Sequence, residues 1–286
     1  MTIKKRSIFA ACSLLAFSFI SCSNDEDSIN EQDYVTYDNH IELIGEDNMR
    51  DLGGFVGAEN KRILYRKLFR SGELSALTAE DQATLIDLGI NQVIDLRTDS
   101  EVEEAQDVLP ADIAAYHYSL IDDSNGATNG TDYMAMVMSG ELKATDLMLP
   151  AYSEIDTHRE QQWEAIFDLL EQDNAVSLWH CTAGKDRAGM TTALVLTALG
   201  VDKETIIEDF MNSNTYLSEY IENTVAYMNS NYGPGVGELL RPLLGVERDY
   251  IDAFYTAVNE KYGSMDNFLE VLKVDVQKLR AIYLEK

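Results

Sequence analysis

The chain has 286 residues, with 50 acidic side chains against 22 basic ones and a formal net charge of −28. Charge of this sign and size repels nucleic acid and anionic membrane surfaces, which excludes both as general partners and reads otherwise as solubility. The length beyond the N-terminal segments, about 255 residues, suits one domain of the larger kind, and no internal repeat divides it.

At the N-terminus, Lys4, Lys5 and Arg6 precede an apolar run over residues 8–20. That run is too short and wrongly flanked to span a bilayer and has the form of a signal peptide, residues 1–21. It ends in Phe19-Ile20-Ser21-Cys22, which resembles a bacterial lipobox with Phe19 where Leu is usual. On that resemblance Cys22 is lipidated and begins the mature chain; a plain secretory signal cut near Ser21 is the alternative. Residues 22–34 are then an acidic tether, too polar to pack. The expectation is an exported protein, lipid-anchored in a bacterial cell envelope and touching membrane only through that lipid, or else soluble in the periplasm or secreted. Residues 35–286 form the remaining domain.

The stretch NMRDLGGF at 48–55 leads into ILYRKLF at 63–69, a hairpin pattern at a sheet edge. Thr78 opens a helix that Gly89 ends, with Leu85, Ile86 and Leu88 on its apolar side. Strands follow at 92–96 and 116–121, the second ending before Asp122 and Asp123. Alternation of this kind predicts an α/β fold with a central, mostly parallel sheet flanked by helices. Ligands bind at the carboxyl ends of such strands, so Asp95, Arg97 and Asp122 are expected on one side with the loop described next. Residues 125–157 read as an insertion with a short helix and a Met-rich piece at 134–138, bordering a cleft or packing into the core. Residues 158–170 form an amphipathic helix with Trp163, Ile166, Phe167 and Leu170 on one face.

The most informative stretch is AVSLWHCTAGKDRAGMTTALVLTALG at 175–200. A short apolar strand passes through a tight loop into an apolar helix ended by Gly200. The loop carries Cys181 and, after five residues, Arg187. Backbone N–H groups at such a strand-to-helix turn form a nest for a tetrahedral dianion, and Gly184 permits the turn. A cysteine at the floor of the nest has its thiol acidified and serves as a nucleophile. The planar fork of Arg187 is suited to two phosphate oxygens. Together these fit phosphoester cleavage through a cysteinyl-phosphate. Apart from Cys12 and Cys22 in the N-terminal segments, Cys181 is the one thiol, so no disulfide is available to the mature chain.

HCTAGKDRAG closely resembles the HCxxGKDR loop of secreted and periplasmic bacterial protein-tyrosine phosphatases, a branch of the cysteine-dependent phosphatases related to the dual-specificity enzymes. NMRDLGGF, FRSGELSAL at 69–77, VIDLRT at 93–98, DFMNSN at 209–214 and YGSMDNFL at 262–269 resemble that family's other motifs in the same order. The resemblance implies hydrolysis of phosphotyrosine proteins or small phosphate monoesters, without cofactor or metal, because thiolate, arginine and loop amides suffice. It implies Cys181 as nucleophile, Arg187 as phosphate clamp, and Thr182, Ala183, Gly184, Lys185 and Ala188 as the substrate-binding loop. Asp186 matches the family's loop Asp and is the expected general acid; Asp122 resembles the position used by dual-specificity phosphatases and is the alternative.

Where the family carries Thr or Ser after the arginine, this chain has Ala188. The missing hydroxyl would otherwise support the sulfur as leaving group, so Thr182, Thr191 and Thr192 are candidate substitutes. Arg50, Asp51 and Asp95 match family motifs and are expected to brace the loop, and His180 to bond backbone near it. Lys185 also fits an inositol-phosphate or phosphoinositide phosphatase on the same fold, and Ala188 a phosphate-binding protein without turnover. Tyr118, Phe210 and Tyr216 are candidate walls for a phosphotyrosine slot. Helices are expected over 203–212, 215–229, 237–244 and 247–262, with 216–228 a possible lid or simply a second packed layer. Nothing in the sequence signals an oligomeric state.

Overall fold

The structure, a computed structural model, describes residues 39–122 and 130–286. The signal peptide, Cys22, the tether and the first part of the insertion lie outside the described residues. Five strands form one sheet in the order β1-β2-β5-β3-β4: β1 Arg50–Asp51, β2 Leu68–Ser71, β3 Gln92–Asp95, β4 Ala114–His117 and β5 Ser177–His180. β1 runs antiparallel to β2, and the other pairings are parallel. β2, β3 and β5 are buried throughout, as expected of central strands covered by helices on both faces.

Two strands are shorter than their sequence pattern. The edge hairpin is reduced to the two residues of β1 against β2, while Ile63 makes only an isolated bridge to Leu284. β4 stops at His117 instead of running on to 121, because Arg97 N, the next donor of the ladder, turns back to Asp95 Oδ1, and side chains from the helix Thr157–Leu170 take two carbonyls beyond it. His158 Nε2 lies 2.8 Å from Ser119 O, and Arg159 Nε donates to Leu120 O at 3.0 Å.

The helices follow their caps. α1, Ala79–Asp87, starts on a Thr78–Asp81 capping box and is followed by Gly89 at φ +78°. Leu85 is buried, but Ile86 is 58% exposed. Consecutive helical residues point about 100° apart, so only one of the two can face the sheet. α2, Asp99–Glu104, has the same box made by Thr98 and Glu101. The insertion holds two helices, α3 Gly130–Ser139 and α4 Ala144–Ser153, and Val137 and Met138 pack there with Ala144 and Leu240. α5, Thr157–Leu170, buries Trp163, Ile166, Phe167 and Leu170 as its pattern requires.

α6, Arg187–Ala198, is apolar nearly all round and correspondingly sits in the centre of the core. Around it are α7 Lys203–Tyr216, α10 Arg248–Tyr262, α11 Met265–Val271 and α12 Val276–Tyr283. α8 Ser218–Tyr232 and α9 Val236–Leu244 pack on each other, and Leu217, Ile221 and Val225 pack with Ala183 of the loop before α6. The described residues all lie in one compact unit.

Candidate active site

The loop 181–186 joins the carboxyl end of β5 to the first turn of α6. Gly184 has φ +68°, and a Cβ there would lie 2.3 Å from the carbonyl carbon and oxygen of Ser71. Only glycine fits both the left-handed backbone and this close approach of β2. The loop N–H groups of residues 182–186 donate to no partner among the described residues. A run of open N–H groups at a helix N-terminus, two of them on the buried Gly184 and Lys185, is a cradle for an anion.

Cys181 is buried at the base of this loop. A negative charge on Cys181 would favour the charged forms of Arg187 and Arg70 and the neutral form of Tyr152. Arg187 is held by Glu101 of α2: Nη1 donates to Oε2 at 2.5 Å and Nη2 to Oε1 at 2.7 Å, with Nη2 also 3.1 Å from Thr182 Oγ1. Thr182 donates to Glu101 Oε1 at 2.6 Å. The Nε of Arg187 donates to nothing among the described residues and stays open to an oxyanion. Burial alone would lower the Arg187 guanidinium, but the Glu101 hydrogen bonds and the Cys181 charge raise it. Burial alone would raise the Glu101 carboxyl, yet hydrogen bonding and charge from Arg187 bring it down to about 2.

Asp186 is fixed by two donors. Tyr152 of α4 gives its hydroxyl proton to Oδ1 at 2.5 Å, and Lys185 Nζ lies 2.9 Å from Oδ2. Burial, then the Asp186 charge, push the Tyr152 hydroxyl well above its ordinary value, so it acts only as a donor. The insertion therefore does reach the loop, through Tyr152. Lys185 is itself buried, its charge matched by Asp186.

Behind the loop lies a buried ionic frame. Arg70 of β2 donates from Nη2 to Gly184 O at 2.8 Å and Lys185 O at 3.1 Å, and from Nη1 to Asp209 at 2.7 Å. Arg50 donates to the other oxygen of Asp209 at 2.7 Å and to Asn48, whose own amide reaches Ala183 O at 2.9 Å. Burial and the neighbouring charge of Arg50 lower Arg70 to about 10. Charges this deep persist because each is paired. His180 lies 2.9 Å from Asp107, and Arg97 bonds both Asp95 and Asp107. His180 Nδ1 also lies 3.4 Å from Cys181 O.

Some expectations are corrected. Asp51 does not brace the loop: its oxygens accept Gly53 N and Arg66 N and hold the turn after β1. Phe210 is buried edge-on against Tyr152, so it walls no slot; Tyr216 stacks on His40 at 4.3 Å, and Tyr118 packs against the core. None of the three hydroxyls replaces the one missing at Ala188. Each has a single proton, and Thr182 gives it to Glu101, Thr191 to Arg187 O and Thr192 to Ala188 O. Asp122 is exposed and borders a surface cavity with His117 and His158 that shares no residue with the loop.

Sequence alone does not mark Glu101, Arg70, Asp209, Asn48 or Tyr152 as individual site residues. Glu101 had one local signal, the Thr98-x-x-Glu101 box, which reads as a helix cap and nothing more. The other four reach the loop or the arginines behind it from positions far away in sequence.

Comparison with known proteins follows the same line. The tyrosine phosphatase family matches residues 41–285. A Cupriavidus necator protein provisionally named a tyrosine-protein phosphatase is 33% identical over 246 residues, 83% of this chain and 85% of that protein. The triple specificity protein phosphatase PtpB of Mycobacterium tuberculosis is 30% identical over 284 residues, 85% of this chain and 98% of PtpB. Among solved structures, P. aeruginosa TpbA in complex with pTyr is 14% identical, covering 80% of this chain and 94% of that one at a TM-score of 0.30. With nearly all of the described residues matched, the chain belongs to the tyrosine phosphatase family and is a phosphoric monoester hydrolase.

Proposed function

We propose that the protein hydrolyses phosphotyrosine through a cysteinyl-phosphate formed on Cys181. The observation that carries this is the run of open loop amides over Cys181, with Arg187 held beside it by Glu101. The phosphate dianion sits in the loop, with its oxygens on the amides of residues 182–186 and on the free Nε side of Arg187. The Cys181 thiolate attacks phosphorus in line and the ester bond breaks; Asp186, positioned by Tyr152 and Lys185 and acting in its protonated form, gives that proton to the departing phenolate and is left as the carboxylate. Water then attacks the cysteinyl-phosphate with Asp186 taking its proton, releasing phosphate and the thiolate. Asp122 is the weaker choice of acid, since it borders a different cavity.

The test is steady-state hydrolysis of a phosphotyrosine peptide in EDTA. Turnover that disappears in Cys181→Ser supports the reading, and turnover that persists in that variant refutes it.

We also propose that residues 35–286 are the catalytic domain, with α8, packed on Ala183, covering one side of the loop. The N-terminal sequence supports export and lipidation at Cys22. Fatty-acid labelling of the expressed protein should vanish in Cys22→Ala; labelling that persists, or is absent from both forms, refutes the anchor.

A further inference from the structure

The flank of the loop that faces α8 carries a second chemistry. Beside Thr182 and Ala183 lies a cavity of about 250 Å³ bordered by Glu46, Asp47, Leu217 and Tyr220. Asp47 and Tyr220 also border a cavity of about 490 Å³ that runs on past Glu219 and Tyr227. The shared residues make the two a continuous groove leading away from the phosphate loop. No lysine or arginine lines either part. Asp47 and Glu219 are exposed, and no salt bridge reaches them among the described residues. Tyr220 and Tyr227 stand 48% and 60% exposed, so much of each ring is open to solvent.

Glu46 gives the groove its direction. Only 8% of it is exposed, and its Oε1 accepts Asn48 N at 2.8 Å and Gly72 N at 2.6 Å. Its Oε2 is buried in the wall of the cavity with no partner. A buried acceptor without a donor is costly, and native structures seldom leave one unless something else supplies the proton. The other acidic residues alone would be an ordinary solvated face. An acceptor short of a donor, two unpaired carboxylates and two open aromatic faces together match a group that brings only donors and positive charge. Guanidinium and ammonium are such groups, and both bind carboxylate and the face of a tyrosine ring.

We propose that this groove binds a basic side chain, arginine or lysine, flanking the phosphorylated residue of a peptide substrate. The inference rests on the phosphatase function proposed above and narrows its substrate class to phosphopeptides with a cationic flank. The same groove repels inositol polyphosphates, whose further phosphates would face carboxylates next to the loop.

The test compares kcat/KM for three phosphotyrosine peptides identical except for arginine, serine or glutamate flanks, with phenyl phosphate and an inositol polyphosphate alongside. The arginine peptide is expected to exceed the serine peptide by roughly five- to tenfold, the effect of two or three partly exposed ion pairs, and to lose that advantage as salt rises. In the double variant Asp47→Asn/Glu219→Gln the ratio should fall to near one. In Asp266→Asn/Glu270→Gln, which removes the same charge from exposed positions on α11, the ratio should persist. No flank preference, equal loss in both double variants, or faster turnover of the inositol polyphosphate than of the arginine peptide would overturn the proposal. Peptide binding by Cys181→Ser separates the two layers. A flank preference there without hydrolysis by the wild type would refute the phosphatase mechanism and support the groove; its absence would refute the groove.

Discussion

Arg187 and Glu101, 86 residues apart in the chain, form a two-bond fork in which Nη1 and Nη2 each meet one carboxylate oxygen, at 2.5 and 2.7 Å. The pairing uses the end of the guanidinium and leaves the Nε side for substrate, so the clamp is oriented before phosphate arrives. Preorganisation of this kind lowers the cost of ordering a long side chain at the moment of reaction.

Glu101→Gln should therefore impair catalysis without touching substrate. One charge-assisted pair is exchanged for a neutral one, and kcat/KM is expected to fall roughly ten- to a hundredfold. Because the clamp serves the transition state, most of the loss should appear in kcat. Steady-state kinetics on a phosphotyrosine peptide checks this; an unchanged kcat with a raised KM would show that Glu101 acts on binding alone.

Asp186→Asn should slow reactions in proportion to the basicity of the leaving group. For an alkyl or unactivated phenyl phosphate a loss of about a hundredfold or more is expected, and for a strongly activated aryl phosphate far less. Uniform losses across leaving groups would reassign Asp186 to orientation of Lys185 and the loop.

Ala188→Ser restores a hydroxyl at the position next to Arg187, where Thr182, Thr191 and Thr192 all have other acceptors. Ala188 is fully buried, and serine adds one atom, less than threonine would force into a packed core. One hydrogen bond to the leaving sulfur is expected to speed breakdown of the cysteinyl-phosphate by about five- to thirtyfold. Rapid-quench measurement of phospho-enzyme should show a smaller burst and a faster steady state.

Glu46→Gln should change how stability depends on pH. Burial raises the Glu46 carboxyl from 4.5 to about 7 in the folded state, against the hydrogen bonds of Asn48 and Gly72. The folded protein thus favours the protonated form, and a cation meeting the carboxylate would oppose that shift. Its contribution to stability is fully present below pH 4.5 and is lost as pH rises through about 7. Relative to wild type, the variant is expected to gain stability between those limits, by at most about 3 kcal/mol. Denaturant titrations of both proteins at pH 5 and pH 8 supply the comparison; a difference independent of pH would mean Glu46 does not titrate in this range.

Much of the fold was legible in the sequence wherever a signal is local. The helix start at Thr78, the face of Trp163, Ile166, Phe167 and Leu170, and the apolar run of α6 each rest on residues within a turn or two of one another, and each forms as read. Strand ends were less legible, because β4 ends where Arg97 N turns back to Asp95 Oδ1 and leaves the ladder. Phe210 reads as a slot wall only while its neighbours are unknown; in the fold it packs against Tyr152 instead.

By itself the sequence determined the chemistry of the loop. Cys181, Gly184 and Arg187 lie on one strand-to-helix turn, and their spacing alone brings a thiol, a tight turn and a guanidinium together. Only the tertiary structure decided what holds that loop and what lies beside it. Glu101 reaches Arg187, Tyr152 reaches Asp186 across 34 residues and Arg70 reaches Gly184 across 114. Such partners carry no local period or propensity. They are chosen by the order in which the parallel strands are laid side by side and by the helices packed over their carboxyl ends, where charges taken from water must find one another.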